Sequence, residues 1–162
     1  MRGEVLNLIR IEIPGRDVIT VEHLVLDYNG TVAEDGRLIE GVEERMRALK
    51  DLVEIHVLTA DTYGTVRAQC EHIGIHVETF PRAGAAECKL EIVNNLGGNV
   101  MCVGNGYNDV LMFDAADLSV AVLEREGTFA GLIAHADIVT RSILDAFDLL
   151  IKTDRMRATL RS

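Results

Sequence analysis

An α/β fold built on a doubly wound parallel sheet follows from three features of the sequence. Short apolar runs alternate with stretches of helical periodicity, the pattern that sets parallel strands between covering helices. The run Leu24, Val25, Leu26 has the length and flanks of a strand buried on both faces. Polar clusters follow several of these runs, where open α/β sheets carry their chemistry.

Each element has its own signal. Apolar residues alternate from Val5 to Ile13 and again from Val18 to Val25, with Pro14, Gly15, Arg16 and Asp17 between them. This predicts a β-hairpin leading into the motif strand, an N-terminal extension over residues 1–22 ahead of a core over residues 23–162. Within the core, Val53 to Leu58, Ile75 to Phe80, Val100 to Val103, Leu118 to Val122 and Asp137 to Val139 read as short strands. Three helical faces lie between or after them: Val42, Met46, Leu49 and Leu52; Ile92, Val93 and Leu96; and Ile143, Leu144, Phe147, Leu150 and Ile151. The tail, Lys152 to Ser162, reads as a solvated final helix.

Composition narrows the function classes. With 162 residues and 48% hydrophobic content, the chain is expected to be one domain, 1–162, with a full core of its own. Sixteen basic against 26 acidic residues give a net charge of −10, which repels nucleic acid and acidic membrane surfaces. No apolar run reaches the roughly 18 residues of a membrane span, so a soluble protein without a membrane partner is expected. Cys70, Cys88 and Cys102 are odd in number and unpaired in spacing. They read as buried free thiols, and the chain as cytoplasmic.

The chemistry sits in four clusters: Asp27-Tyr28-Asn29-Gly30-Thr31, Thr59-Ala60-Asp61, Lys89, and Gly104-Asn105-Gly106-Tyr107-Asn108-Asp109. A carboxylate such as Asp27 can attack phosphorus and split a slow hydrolysis into two steps. The backbone N–H groups of Asn29, Gly30 and Thr31 are expected to face a phosphate. Taken singly, several of these residues have plainer readings. Asp61 reads as the cap of a helix beginning near Thr62, Asn108 and Asp109 as helix-start residues, and Lys89 as a surface lysine. Gly74 argues against a helix joining His72 and His76, and the five histidines receive no role. Gly104-x-Gly106 lacks the third glycine of a dinucleotide fingerprint.

In order and spacing the clusters resemble the haloacid dehalogenase superfamily of aspartyl phosphohydrolases, and within it the phosphorylation domain of P-type ATPases standing alone. The resemblance covers Leu24 to Leu160 and implies a Rossmann-like sheet, Mg²⁺ as cofactor and an aspartyl-phosphate intermediate. Asp27, Asn29 and Lys89 take the catalytic positions. Thr59, Ala60, Lys89, Gly30, Thr31 and Asn108 take the phosphate-binding ones, and Asp27, Asn29, Asn105 and Asp109 those of the metal. Two residues depart from the pattern. Asn29 stands where phosphatases of the superfamily place a second aspartate, and an amide cannot shuttle a proton. Asn105 stands where a metal-binding aspartate is usual, and losing a charge worth about 4 kcal/mol at 4 Å in an effective dielectric near 20 weakens cation binding.

The intervals between Thr31, Thr59 and Lys89 are each about 30 residues, filled by a strand and a helix, so no cap domain is expected. The expectation is therefore an open, slow, Mg²⁺-dependent phosphohydrolase acting on a small phosphorylated molecule or a phosphoprotein. The hairpin is a candidate contact in a homo-oligomer. The rival expectation is a non-catalytic phosphate- or nucleotide-binding regulator.

Overall fold

Burial of both faces of one parallel sheet organises the computed structural model, which describes residues 7–61 and 64–162. The strands are β1 (Ile9–Ile11), β2 (Ile19–Val21), β3 (His23–Asp27), β4 (Ala33–Glu34), β5 (Arg37–Leu38), β6 (Glu54–Thr59), β7 (His76–Thr79), β8 (Val100–Gly104), β9 (Leu118–Val122) and β10 (Ile138–Thr140). The helices are α1 (Val42–Leu49), α2 (Thr65–Cys70), α3 (Ala85–Asn95), α4 (Val110–Ala115), α5 (Ile143–Ile151) and α6 (Thr153–Leu160). The central sheet runs β10-β9-β8-β3-β6-β7, and each neighbouring pair is parallel. From β3 the chain moves outward to β6 and β7, then returns to β8 on the other side of β3. The topological switch point thus lies between β3 and β8, the place where such sheets open a crevice.

The alternation of β3 sorts its side chains. Leu24 and Leu26 join one apolar cluster with Val42, Met46, Phe147 and Met156 of α1, α5 and α6. Val25 joins the other, with Val93 of α3 and Met112 of α4. By that period of two, Asp27 falls on the α3 face. No helix among the described residues is long and apolar enough to cross a membrane, and no cap module interrupts their α/β succession.

Several expectations change in detail. The hairpin forms, pairing Ile9 with Val21 and Ile11 with Ile19, but as its own two-stranded sheet. Val5, where its pattern begins, lies outside the described residues, as does Thr62. The tail is not simply solvated, because Met156 and Leu160 are buried with Ile11 and Ile13 of the hairpin segment. Arg157 Nε donates to Glu12 O at 3.1 Å and Ser162 N to Pro14 O at 3.2 Å. Leu52 is exposed because α1 ends at Leu49, and Ile151, the last residue of α5, is exposed as well. Cys70 and Cys102 are buried free thiols, whereas Cys88 is only partly buried. The β4–β5 hairpin was not anticipated, although its Asp35-Gly36 turn, with φ of 51° and 80°, is a recognised hairpin signal.

At the amino-terminal ends of β3, β6 and β7, His56 lies between His23 and His76. His56 Nε2 is 3.1 Å from His23 Nδ1, and its ring stacks on that of His76 at 4.9 Å. Burial, reinforced by the two neighbouring rings and opposed by Glu54, pushes the His56 pKa down to about 4. Its folded value lies below the ordinary 6.5, so its contribution to stability is complete above that pH and is lost as pH falls toward 4. Thermal melts are expected to show the wild-type midpoint dropping more steeply than that of His56→Gln between pH 6.5 and 4, with parallel curves above pH 7.5.

Candidate active site

Asp27 ends β3 with its side chain toward α3, and Lys89 on α3 points back at it. The Lys89 ammonium donates to Asp27 Oδ1 at 2.7 Å, to Asp109 Oδ1 at 2.7 Å and to Asn108 Oδ1 at 2.8 Å. Lys89 is 2% exposed, Asp27 8% and Asp109 0%. The second oxygen of Asp109 accepts from the amides of Asn105 (3.1 Å) and Gly106 (2.9 Å), which folds the loop after β8 around it. Thr31 Oγ1 lies 3.1 Å from Asp27 Oδ2 and 3.2 Å from Asn105 Oδ1, so the loops after β3 and β8 meet at one hydroxyl.

These groups border a cavity of about 380 Å³ whose wall includes Asp27, Asn29, Thr59, Ala60, Lys89 and Asn105. Asn108 lines it as well, so most of the sequence-predicted site converges on one space. A larger depression of about 800 Å³ lies elsewhere, between the β4–β5 hairpin and the start of α5, and holds none of them.

Two expected roles take a different geometric form, and that of Asp61 as a helix cap is kept. The amides of Gly30 and Thr31 are engaged within their own turn, Gly30 N with Ala33 O at 2.9 Å and Thr31 N with Tyr28 O at 3.3 Å. They shape the loop instead of facing the cavity. Gly30 is required there, because its φ of 79° is left-handed and a Cβ would run into the Asn105 amide. Asp109 stands behind the cavity wall, with both oxygens held by Lys89 and two backbone amides. Asp61 accepts from Val66 N at 3.0 Å and from the Thr65 hydroxyl at 2.5 Å, which caps α2.

Sequence reasoning missed Leu58, Phe80 and Tyr107 on the cavity wall. Tyr107 carried a signal, an aromatic residue inside an otherwise small and polar loop. It also missed the strap from Glu124 to Phe129. Asn105 Nδ2 donates to Gly127 O at 3.0 Å and Phe129 N donates to Asn105 O at 2.8 Å, while Glu126 accepts from the Asp35 amide. No residue pattern marks those contacts in advance.

Two carboxylates share one ammonium, which leaves one negative charge in excess. Burial, with the Asp109 charge adding to it, raises the Asp27 pKa to about 7 despite the opposing pull of Lys89 and the Thr31 bond. Burial also works against the Lys89 charge, but Asp27 and Asp109 together outweigh it and hold its pKa above the ordinary lysine value. The site is an anion in search of a further positive charge.

Comparison with known proteins bears on the family and the fold. Residues 6–117 match a family model described as haloacid dehalogenase-like hydrolase. A soluble P-type ATPase-like phosphatase of Methanocaldococcus jannaschii is 29% identical over 126 residues, 75% of this chain and 46% of that protein. The chain therefore spans about half the length of that relative. A second protein from that organism, uncharacterized, is 38% identical over 78 residues, 45% of this chain and 84% of its own. Among solved structures, the cobalt-bound deoxy-D-mannose-octulosonate 8-phosphate phosphatase of Haemophilus influenzae superposes with a TM-score of 0.69 at 12% identity. That match covers 88% of this chain and 94% of the other. The 3-deoxy-D-manno-octulosonate 8-phosphate phosphatase of Moraxella catarrhalis, in complex with magnesium, phosphate and KDO, gives 0.66 at 16% identity, covering 87% and 94%.

The raised Asp27 pKa has a thermodynamic consequence. Its folded value of about 7 exceeds the ordinary 3.8, so the native state loses stability as pH rises through that window. Asp27→Asn removes the excess charge. At pH 8 without divalent cations it is expected to be more stable than wild type by on the order of 2–4 kcal/mol in urea denaturation, with the difference vanishing near pH 4.

Proposed function

The chain belongs to the haloacid dehalogenase-like hydrolases, and within that family we propose that it is a Mg²⁺-dependent phosphohydrolase using Asp27 as nucleophile. The observation that carries this reading is the Asp27–Lys89 contact of 2.7 Å at the base of a cavity also bordered by Thr59. A buried cation next to a carboxylate at a strand's carboxyl end suits phosphoryl transfer, where positioning and charge stabilisation supply most of the rate. Binding of a small phosphorylated molecule in a cytoplasmic setting belongs to the same proposal, as does self-association.

The donor set fits Mg²⁺. It is all oxygen, with the Asp27 carboxylate and the Asn105 amide oxygen converging on Thr31 and Asn29 on the same wall, and Mg²⁺ is commonly held by one or two carboxylates with waters and substrate phosphate. Among the described residues no group of three or more His, Cys, Asp or Glu side chains is arranged to hold a metal. The cation thus depends on Asp27, Asn29, Asn105 and the substrate itself, with Asp109 acting through Lys89. When bound, Mg²⁺ supplies Lewis acidity at the phosphoryl oxygens and the charge that keeps Asp27 ionised.

The steps assigned to the chain's own residues are two displacements. An Asp27 oxygen forms a bond to phosphorus as the ester P–O bond breaks, and the departing alkoxide takes a proton from water. Lys89 and the Thr59 hydroxyl stabilise the transferring phosphoryl oxygens. Water then attacks the same phosphorus, its proton passing to solvent to neutralise the hydroxide left by the first step, the aspartyl–phosphate bond breaks, and phosphate leaves with Asp27 restored. Asn29 lines the cavity where a base would activate that water, and its amide cannot accept the proton. The second displacement is accordingly the slow one.

The two amides also favour a second reading, a regulator that takes up a phosphoryl group and holds it. In both readings Mg²⁺ with beryllofluoride is expected to raise the melting temperature of wild type and not of Asp27→Ala, while Mg²⁺ alone shifts it little. Turnover separates them. A panel of phosphate monoesters should be hydrolysed by wild type and not by Asp27→Asn, and equal rates would remove Asp27 from the mechanism. Asn29→Asp is expected to speed discharge of trapped phosphoenzyme at least tenfold, since a positioned general base contributes roughly 10²–10⁴.

A further inference from the structure

Tyr107 stands out at the mouth of the cavity. It is 75% exposed, so it has no packing role in the core, yet it lines the same wall as Asp27 and Lys89. It sits in the single turn Tyr107–Asp109 that Asp109 and its two backbone amides fix in place. Its ring meets that of Phe129 edge to face, with centroids 5.2 Å apart and planes at 77°. Phe129 is itself anchored, because its amide donates to Asn105 O at 2.8 Å. The aromatic lip is therefore held in a set orientation relative to the phosphoryl end.

The rest of the wall gives the contrast. Leu58, Ala60 and Phe80 add apolar surface, and Asp27 and Lys89 are the charged side chains on it. Lys89 is already bonded to two carboxylates and an amide. Among the described residues no other cationic side chain lines this wall to meet a second anionic group on the substrate, and the chain's charge of −10 repels one. A volume of about 380 Å³ lies within the ordinary range for small-ligand pockets and leaves room for more than a phosphoryl group.

We propose that Tyr107 is a specificity-determining residue that stacks on the leaving group, and that the substrate is a phosphate monoester whose alcohol carries a neutral planar ring. The proposal rests on the phosphohydrolase reading for the position of the phosphoryl group, and adds which alcohol it is attached to. The substrate's ring lies against Tyr107, which lines the cavity and meets Phe129 at 77°. Stacked or edge-to-face aromatic pairs favour such contacts over an aliphatic ring of similar size.

Benzyl phosphate and cyclohexylmethyl phosphate make the test, since both are primary alkyl esters of similar size and differ chiefly in the aromatic ring. Their affinities for Asp27→Asn in Mg²⁺ are measured by calorimetry, so binding is read without turnover. Benzyl phosphate is expected to bind about three- to tenfold more tightly. That preference should vanish in Asp27→Asn/Tyr107→Leu and persist in Asp27→Asn/Tyr107→Phe. Equal affinities, a preference that survives Tyr107→Leu, or binding of neither ester overturns the proposal. Wild-type kinetics separate it from the parent reading. Hydrolysis of both esters with equal, Tyr107-independent KM leaves the phosphohydrolase standing and removes the aromatic subsite. A Tyr107-dependent binding preference without Asp27-dependent hydrolysis keeps the subsite and removes the phosphohydrolase.

Discussion

The Lys89 ammonium is the point on which the site is built. It is buried and engages three oxygen acceptors, Asp27 from β3 and Asn108 and Asp109 from the loop after β8. These elements lie on either side of the switch point, and nothing else among the described residues brings their carboxylates together with a cation. A single buried ammonium against two carboxylates cannot neutralise both, so part of the desolvation cost remains. That residual charge is why Asp27 binds a proton more tightly than a free aspartate, and why a divalent cation and a phosphate would be welcomed together and not separately.

The apolar framework explains how that side chain can be held. The β3 strand is paired on both sides, with β6 and β8, and its alternate residues belong to two different apolar clusters. Displacing Asp27 means displacing a strand fixed by both layers. Lys89 is similarly constrained, since its helix buries Ala85 and Val93 one turn away on either side. The loops carry the adjustable part. Asn105 accepts from Thr31 and donates to Gly127, which an amide can do and an ionised carboxylate cannot. A carboxylate there would bring more charge to a cation while setting two oxygens against each other at Gly127.

Much of this was legible in the sequence, for identifiable reasons. The strands of the central sheet are short apolar runs whose period is set by burial on both faces, so Leu118–Val122 matched its segment and the others differed by a residue or two. Asp27, Thr59, Lys89 and Asn108, singled out by residue type and position at strand ends or a helix start, line one cavity. What escaped were long-range contacts made by ordinary residues. The strap bonded to Asn105, the docking of Met156 onto the hairpin segment and the His23–His56–His76 stack depend on which strands and loops become neighbours, and no local pattern encodes that. The turn amides of Gly30 and Thr31 were misread for a related reason. A Gly-Thr loop at a strand end looks like a phosphate cradle until its own hydrogen bonds are counted.

In the proposed cycle the two amides act at different points. At position 105 the amide keeps an oxygen near Asp27 and gives up a charge, which shifts the burden of cation binding onto the substrate's phosphate. At position 29 the amide lines the cavity but takes no proton, which in the proposed mechanism would leave the first displacement intact and slow the second. An enzyme so arranged would form its phosphoryl adduct only when cation and phosphate arrive together, and release it late. Selectivity then has to come from the alcohol end, before the adduct forms, because nothing of the alcohol remains afterward. In the proposed binding mode Tyr107 stands at that end; it lines the cavity and is exposed, whereas Asp27 and Lys89 are buried.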